Sequence, residues 1–385
     1  MLNRVNLKWD ISTIFIILTS HVFLIGSCSF SEENISYGIY PAKKENVYLS
    51  IDDETKAFTL NVRYFEDLDG SQWLLHLNEI NNTIGIYDLE SGSKMRTAHF
   101  EVEGPNGVGH IDGFDIKSLD SIFLLSRYQG LLSLTRLDES DTLQVYDSYR
   151  LNYSNSATVS TPYSSVRAPI PIINGHAYLA SVPFVDLSRN NLYESGNNLI
   201  KLDLSEYTFE YQNFYSKGYS NKWPSEYSRM SFDINEREKL LVFSLPIDDS
   251  IFTIDRYGQK ASYSAKSKNS RSTRIFSGDL LNQNETRKHY LLNDSYGYIL
   301  YDEFRNYYYR FTEKIAKKMI NKYGTDIYVR KFGLIILNHN FEIIGEVDEL
   351  FTGSFPAIFV GKQGIYSMIA SSDESKMIFE LFVFE

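Results

Sequence analysis

From Val47 to the end of the chain, short runs of alternating apolar and polar residues recur between turn signals. Trp73–Leu77 is followed by Thr83–Asp88, and Ser91-Gly92-Ser93 then turns into Lys94–Val102. Ser121–Ser126, Gly130–Asp138 and Thr142–Tyr146 repeat the arrangement, as do His176–Ser181 with Leu199–Leu204 and Lys239–Leu245 with Ser250–Asp255. Period-two runs of this length, bounded by Gly, Asn, Asp and Ser, predict strands and an all-β fold. An apolar strand ending in aspartate marks one unit, at Asp88, Asp138, Asp203 and Asp255. Spacings of about 50 to 65 residues between these aspartates are close to the length of a four-stranded propeller blade. Each aspartate reads as a turn former that accepts hydrogen bonds from the backbone just ahead of it.

Six units follow, at 57–102, 111–150, 168–213, 228–265, 272–347 and 355–385. The last is short by one strand, and Val47–Asp52 is expected to complete it, which closes the ring and removes an open edge. The expectation is a six-bladed β-propeller over 47–385. The long fifth unit leaves seven blades open. That unit also holds the one expected helix, Thr312–Tyr323, which Thr312 would cap and Gly324 would end. Its lysines, Lys314, Lys317, Lys318 and Lys322, would form a solvated basic side.

Ahead of the strands, Arg4 and Lys8 precede an apolar run from Ile11 to Ile25, too short to span a bilayer but suited to a secretory signal. The run ends Ile25-Gly26-Ser27-Cys28, which resembles the lipobox of bacterial lipoproteins. Residues 1–27 are therefore expected to be a signal peptide and Cys28 the lipidated residue. Residues 28–46 would form an acidic tether. Glu32 and Glu33 in that tether resemble the surface-export signal of Bacteroidota lipoproteins. Cys28 is the sole cysteine, so no intramolecular disulfide forms. The 29 tyrosines and 25 phenylalanines agree with strand-rich structure. A net charge of −11 argues against a nucleic-acid partner.

Glu103–Gly109, followed by Gly113-Phe114, is similar to a segment of a Bacteroidota lipoprotein family of unknown function. That family has a predicted six-bladed propeller of TolB-like or NHL-like type. Val47–Asp52, Ile86–Leu89, Asp120–Tyr128 and Phe243–Asp255 carry the resemblance over nearly all of the chain beyond the leader. These motifs are structural. They imply a fold and a location in the cell envelope, at the outer membrane and on its surface or periplasmic face, and no activity.

Catalytic and metal signatures are absent from the sequence. The seven histidines have no second ligand at metal spacing, and neither HExxH nor GxSxG occurs. No cofactor or metal is expected. Glu103, Asp112, Asp115, Asp248 and Asp249 lie on connections, where a pair of carboxylates would suit a polysaccharide hydrolase or lyase. The segment 207–227 is rich in rings. Tyr215, Tyr219 and Trp223 fall outside strand alternation and are candidates for stacking on a ligand, although rings there can equally pack between blades. Arg127, Arg229 and Arg305 stand near strand ends, where they could reach a central channel. The leading expectation is a lipid-anchored, non-enzymatic module that binds a glycan, peptide or envelope protein. A hydrolase or lyase and a scaffolding subunit are the alternatives.

Overall fold

The alternation along each strand has a simple cause. In a stack of sheets, every sheet buries both faces near the axis and exposes its outer edge, so apolar positions recur wherever a neighbour packs. The computed structural model describes residues 39–151, 159–184, 192–320, 326–353 and 356–384. The expected signal peptide, Cys28 and the first part of the tether lie outside them.

The chain begins with β1 (Pro41–Ser50). Blade 1 is β2 (Val62–Glu66), β3 (Gln72–Asn78), β4 (Thr83–Asp88) and β5 (Lys94–His99). Blade 2 is β6 (Gly113–Ser118), β7 (Ser121–Ser126), β8 (Leu131–Leu137) and β9 (Leu143–Arg150). Blade 3 is β10 (Val159–Tyr163), β11 (Ile172–Ile173), β12 (His176–Phe184), β13 (Leu199–Asp203) and β14 (Thr208–Gln212). Blade 4 is β15 (Ser231–Asn235), β16 (Leu240–Ser244), β17 (Ser250–Ile254) and β18 (Lys260–Ser264). Blade 5 is β19 (Ser295–Asp302), β20 (Tyr307–Ile320), β21 (Asp326–Leu337) and β22 (Ile343–Gly353). Blade 6 is β23 (Ile358–Gly361), β24 (Gly364–Ile369) and β25 (Lys376–Phe384), with β1 as its outermost strand in the order β1-β25-β24-β23.

The molecule is thus a six-bladed β-propeller closed by its first strand. Register fixes the closure, with Val47 opposite Phe379 and Leu49 opposite Met377. The Ser50 amide also donates to the Gly92 carbonyl in the β4–β5 turn. Gly92 has φ +71°, and a Cβ there would lie 2.1 Å from the Tyr48 carbonyl oxygen. Only glycine lets blade 1 lie this close to the closing strand. Cores sit between neighbouring blades, as where Leu77 and Ile86 of blade 1 meet Phe114 and Leu124 of blade 2. The strand-ending aspartates are turn formers. Asp138 Oδ1 accepts from the Ser140 and Thr142 amides, and Asp255 Oδ1 from those of Tyr257 and Gln259.

The expected helix at Thr312–Tyr323 is corrected. Through Ile320 the segment is strand, with Lys314 opposite Lys331 and Lys318 opposite Tyr328. Helix propensity in this stretch is a weak preference. The ladder to β21 overrides it, because Tyr307–Phe311 already runs into the segment as a buried aromatic strand. The extra length of the fifth unit goes into these long strands and an insertion before β19, so no seventh blade is needed. The insertion carries the one helix longer than a single turn among the described residues, α1 (Gln283–Leu291). The Asn282 side chain caps it by accepting from the Asn284 and Glu285 amides. Only Thr286, Tyr290 and Leu291 of α1 are buried, so its apolar stripe is too thin to register as a helical period.

Blade 3 departs from the regular pattern. Its inner strand leaves the sheet after Tyr163, which pairs with Ala180, and returns at Ile172, opposite Ala177. Between them, Ser164–Pro171 runs across the propeller axis. The Val166 amide donates to the Leu60 carbonyl ahead of blade 1, and the Ile170 amide to Asp115 Oδ2 in blade 2. The Arg167 carbonyl accepts from the Phe232 amide in blade 4. Val166 packs in the core shared by blades 1, 5 and 6. A segment of blade 3 can touch all of these only by crossing the centre. Arg63 pins this crossbar, with Nε 2.9 Å from Asp115 Oδ1 and Nη2 donating to Ser164 Oγ and the Ser165 carbonyl.

Candidate functional site: a polar cup at the channel mouth

In a ring of four-stranded antiparallel blades, the connections between blades open on the same face as the turns between second and third strands. On that face the crossbar turns the central channel into a closed-bottomed cup. Leu60 and Asn61 ahead of β2, Asp112 ahead of β6, and Ser225–Arg229 ahead of β15 bring side chains there. Glu79 and Arg127 arrive from second-to-third-strand turns, and Tyr290 from α1. With Ser164, Ser165 and Arg167 of the crossbar they line a cavity of about 730 Å³. A smaller chamber of about 210 Å³ lies on the other side of the crossbar, lined by Val166 and Pro169 with Asp233, Tyr301 and Glu303.

The charges of the cup are only partly matched. Arg167 donates to Glu313 Oε1 and lies 4.4 Å over the Tyr298 ring, while its Nε is buried with no hydrogen-bond partner among the described residues. Glu313 also accepts from the Tyr290 hydroxyl at 2.7 Å. Burial pushes the Glu313 carboxyl up, but the Arg167 and Arg330 guanidiniums outweigh it and hold it below its usual range. Glu313 is thus a fixed anion beneath the cup. Asp112 behaves differently. Burial pushes its carboxyl up to about 6, against the pull of Arg127, whose Nε stands 3.4 Å from Asp112 Oδ2. Glu79 accepts from Asn61 Nδ2 at 2.7 Å. Glu226 accepts from Thr286 Oγ1 at 3.2 Å, leaving Oε2 buried and without a partner among the described residues. Arg229 is exposed at the rim and has no carboxylate partner among the described residues. A buried polar group without a partner is costly, so this arrangement suits a ligand with both accepting and donating groups.

Of the residues singled out in the sequence, the structure brings Arg127 and Arg229 to the cup. Arg305 belongs to the opposite face. It lies in the β19–β20 turn, where it donates to Asp302 Oδ2 at 2.9 Å and to the Lys362 carbonyl at 3.1 Å. The ring cluster is corrected from surface to core. Trp223 is 5% exposed and Tyr219 2%, and both pack in the core shared by blades 3 and 4, with Tyr215 against it. The physical reason is local. Trp223 Nε1 donates to the Gly218 carbonyl, Tyr219 to that of Tyr227, and Tyr215 to that of Ser228. With their polar ends satisfied inside the segment, the rings lose nothing by burial. They act instead as the wedge that holds Ser225–Arg229 at the rim.

Among the acids considered for catalysis, only Asp112 lines the cup. Asp115 is locked by Arg63 and the Ile170 amide, and the carbonyls of Asp248 and Asp249 accept from buried Arg310. Among the described residues no three metal-ligating side chains come together. Sequence reasoning missed Arg167, Glu226, Tyr163 and Tyr290. The one available signal was Ser164–Pro171, where serines and two prolines interrupt what would otherwise be an inner strand.

No helix among the described residues is long and apolar enough to cross a membrane. No curated protein sequence matches the chain. The crystal structure of a DUF4221 family member from Bacteroides vulgatus is similar at TM-score 0.73 and 22% identity, over 90% of this chain and 98% of that one. A Bacteroides fragilis protein predicted to be exported is similar at TM-score 0.54 and 13% identity, over 90% and 95% of the two chains. Both likenesses speak to the fold. The profile of DUF4221, a domain of unknown function, matches residues 36–348, and the chain belongs to this family.

Proposed function

We propose that the protein is a lipid-anchored propeller of the cell envelope that binds a small polar ligand in its cup without transforming it. The observation that carries this reading is the cup itself: about 730 Å³, closed below by the crossbar, with Arg229 free of a carboxylate and Glu226 Oε2 without a donor among the described residues. An oligosaccharide bearing an acid group fits this chemistry. Its carboxylate would take a two-pronged bond from Arg229, its hydroxyls would donate to Glu226 and Asp112, and the volume lies within the range of small-molecule sites.

The test is binding to an array of acidic and neutral bacterial oligosaccharides. Wild type is expected to retain acidic members. Arg229→Ala should weaken that binding about 10- to 100-fold, the usual value of a hydrogen bond to a charged group, with thermal stability unchanged. A hydrolase remains the second reading because Asp112, whose carboxyl burial pushes up to about 6, shares the cup with Glu226. Cleavage of a captured oligosaccharide that Asp112→Asn abolishes would replace the binding reading.

Anchoring rests on the small residues before Cys28 and on an apolar run too short to span a bilayer. Two or more acyl chains suffice for stable attachment. Intact mass of the protein from membranes should show acyl addition at Cys28, and Cys28→Ala should release the chain into the soluble fraction. An unacylated wild-type chain in membranes would contradict the anchor. Protease treatment of whole cells places the propeller on the outer surface or inside.

A further inference from the structure

Beside the cup, the insertion between β18 and β19 collects charge of the opposite sign to the rest of the molecule. Residues 265–294 hold six basic and three acidic side chains, in a chain of net charge −11. Arg271, Arg274, Arg287 and Lys288 are all exposed, and none has a carboxylate partner among the described residues. The same surface displays aliphatic side chains: Leu281 is 63% exposed, Ile275 58%, and Leu292 and Ile315 40% each.

Hydrogen bonds make this one surface. Asp294 accepts from the Arg271 amide at 2.8 Å and from the Ile315 amide at 2.9 Å. Asn293 Oδ1 accepts from the Arg274 amide at 3.4 Å. The Phe276 ring packs 5.2 Å from His289 of α1, with Arg287 and Lys288 on the solvent side of that helix. Asp294 is thereby occupied with backbone amides.

We infer that this shelf docks on a bilayer containing anionic phospholipid. Charge complementarity favours an anionic partner. The interleaved isoleucines and leucines favour a partner with an apolar interior, which a membrane has and a soluble polyanion lacks. Tyr290 of α1 lines the cup, so docking would hold the mouth beside the membrane. This inference does not depend on what the cup binds.

The test is cosedimentation of the full chain with vesicles of phosphatidylcholine, alone or with phosphatidylglycerol added. A contribution from the N-terminal segment is common to wild type and variants. Wild type should bind the anionic vesicles more tightly, and added salt should erase the difference. Arg271→Ser/Arg274→Ser/Arg287→Ser should lose that gain, by about fivefold for each charge removed. Ile275→Ser/Leu281→Ser should weaken vesicle binding, with both variants keeping the wild-type melting temperature. Equal binding of wild type to both vesicle types overturns the inference. So does tight binding to dextran sulfate by wild type and the Ile275/Leu281 variant alike, which would make the shelf a site for a soluble polyanion.

Discussion

His76 is 1% exposed in β3, and neither ring nitrogen has a hydrogen-bond partner among the described residues. Burial pushes its pKa down from the ordinary 6.5 to about 4. The unfolded chain therefore takes up a proton at higher pH than the folded one. The stability tied to neutral His76 is complete above pH 6.5 and is lost as pH falls to about 4, an amount of roughly 3 kcal/mol. Urea unfolding of wild type and His76→Leu across that window checks it. The variant should lack this part of the acid sensitivity, and parallel profiles would refute it. Single residues were unevenly legible. Arg127 and Arg229 line the cup, while Arg305, singled out on the same strand-end ground, stands on the opposite face, because a strand end alone does not say which face a turn joins. Trp223, Tyr215 and Tyr219 stay open in the sequence between ligand stacking and packing between blades, because a one-dimensional pattern cannot show that their N–H and O–H groups bond to carbonyls within the same segment. Only that satisfaction makes burial favourable.

Among the elements, the crossbar matters most to the site, since without it the cup would be an open channel. It holds no regular hydrogen-bond ladder and is tied by single backbone bonds, Val166 to Leu60 and Phe232 to Arg167, together with side chains. Arg63 and Asp115 form a buried pair with 9% and 5% side-chain exposure, and Asp115 also receives the Ile170 amide. Asp115→Ala leaves the buried Arg63 guanidinium without its carboxylate and the Ile170 amide without its acceptor. We expect it to cost about 3–5 kcal/mol, seen as a lower melting temperature, with faster hydrogen exchange at the Ile170 and Ala168 amides. Unchanged exchange there would mean that the crossbar is held by other contacts. The crossbar was visible in the sequence only as a gap in strand pattern, since its partners are distant in the chain. The long hairpin of blade 5 shows the opposite failure. Lys314–Met319 has a locally plausible helical period, and the β21 ladder, with sheet partners up to a dozen or more residues away, decides against it.

For the whole molecule, the propeller was legible because it repeats. Strand-ending aspartates at blade-length spacing and a last unit one strand short are properties of the ring, readable without knowing any contact. The cup is also a property of the ring, yet its residues come from five blades and share no local motif. Central to the function proposed here is that ligand binds on the face that carries the cup. Isothermal titration of an acidic oligosaccharide retained by the wild-type chain tests this most directly, with Arg229→Ala at the cup compared with Arg305→Ala on the opposite face. The account predicts that Arg229→Ala loses about 10- to 100-fold in affinity while Arg305→Ala binds as wild type does. Loss of binding in Arg305→Ala with Arg229→Ala unaffected would contradict it.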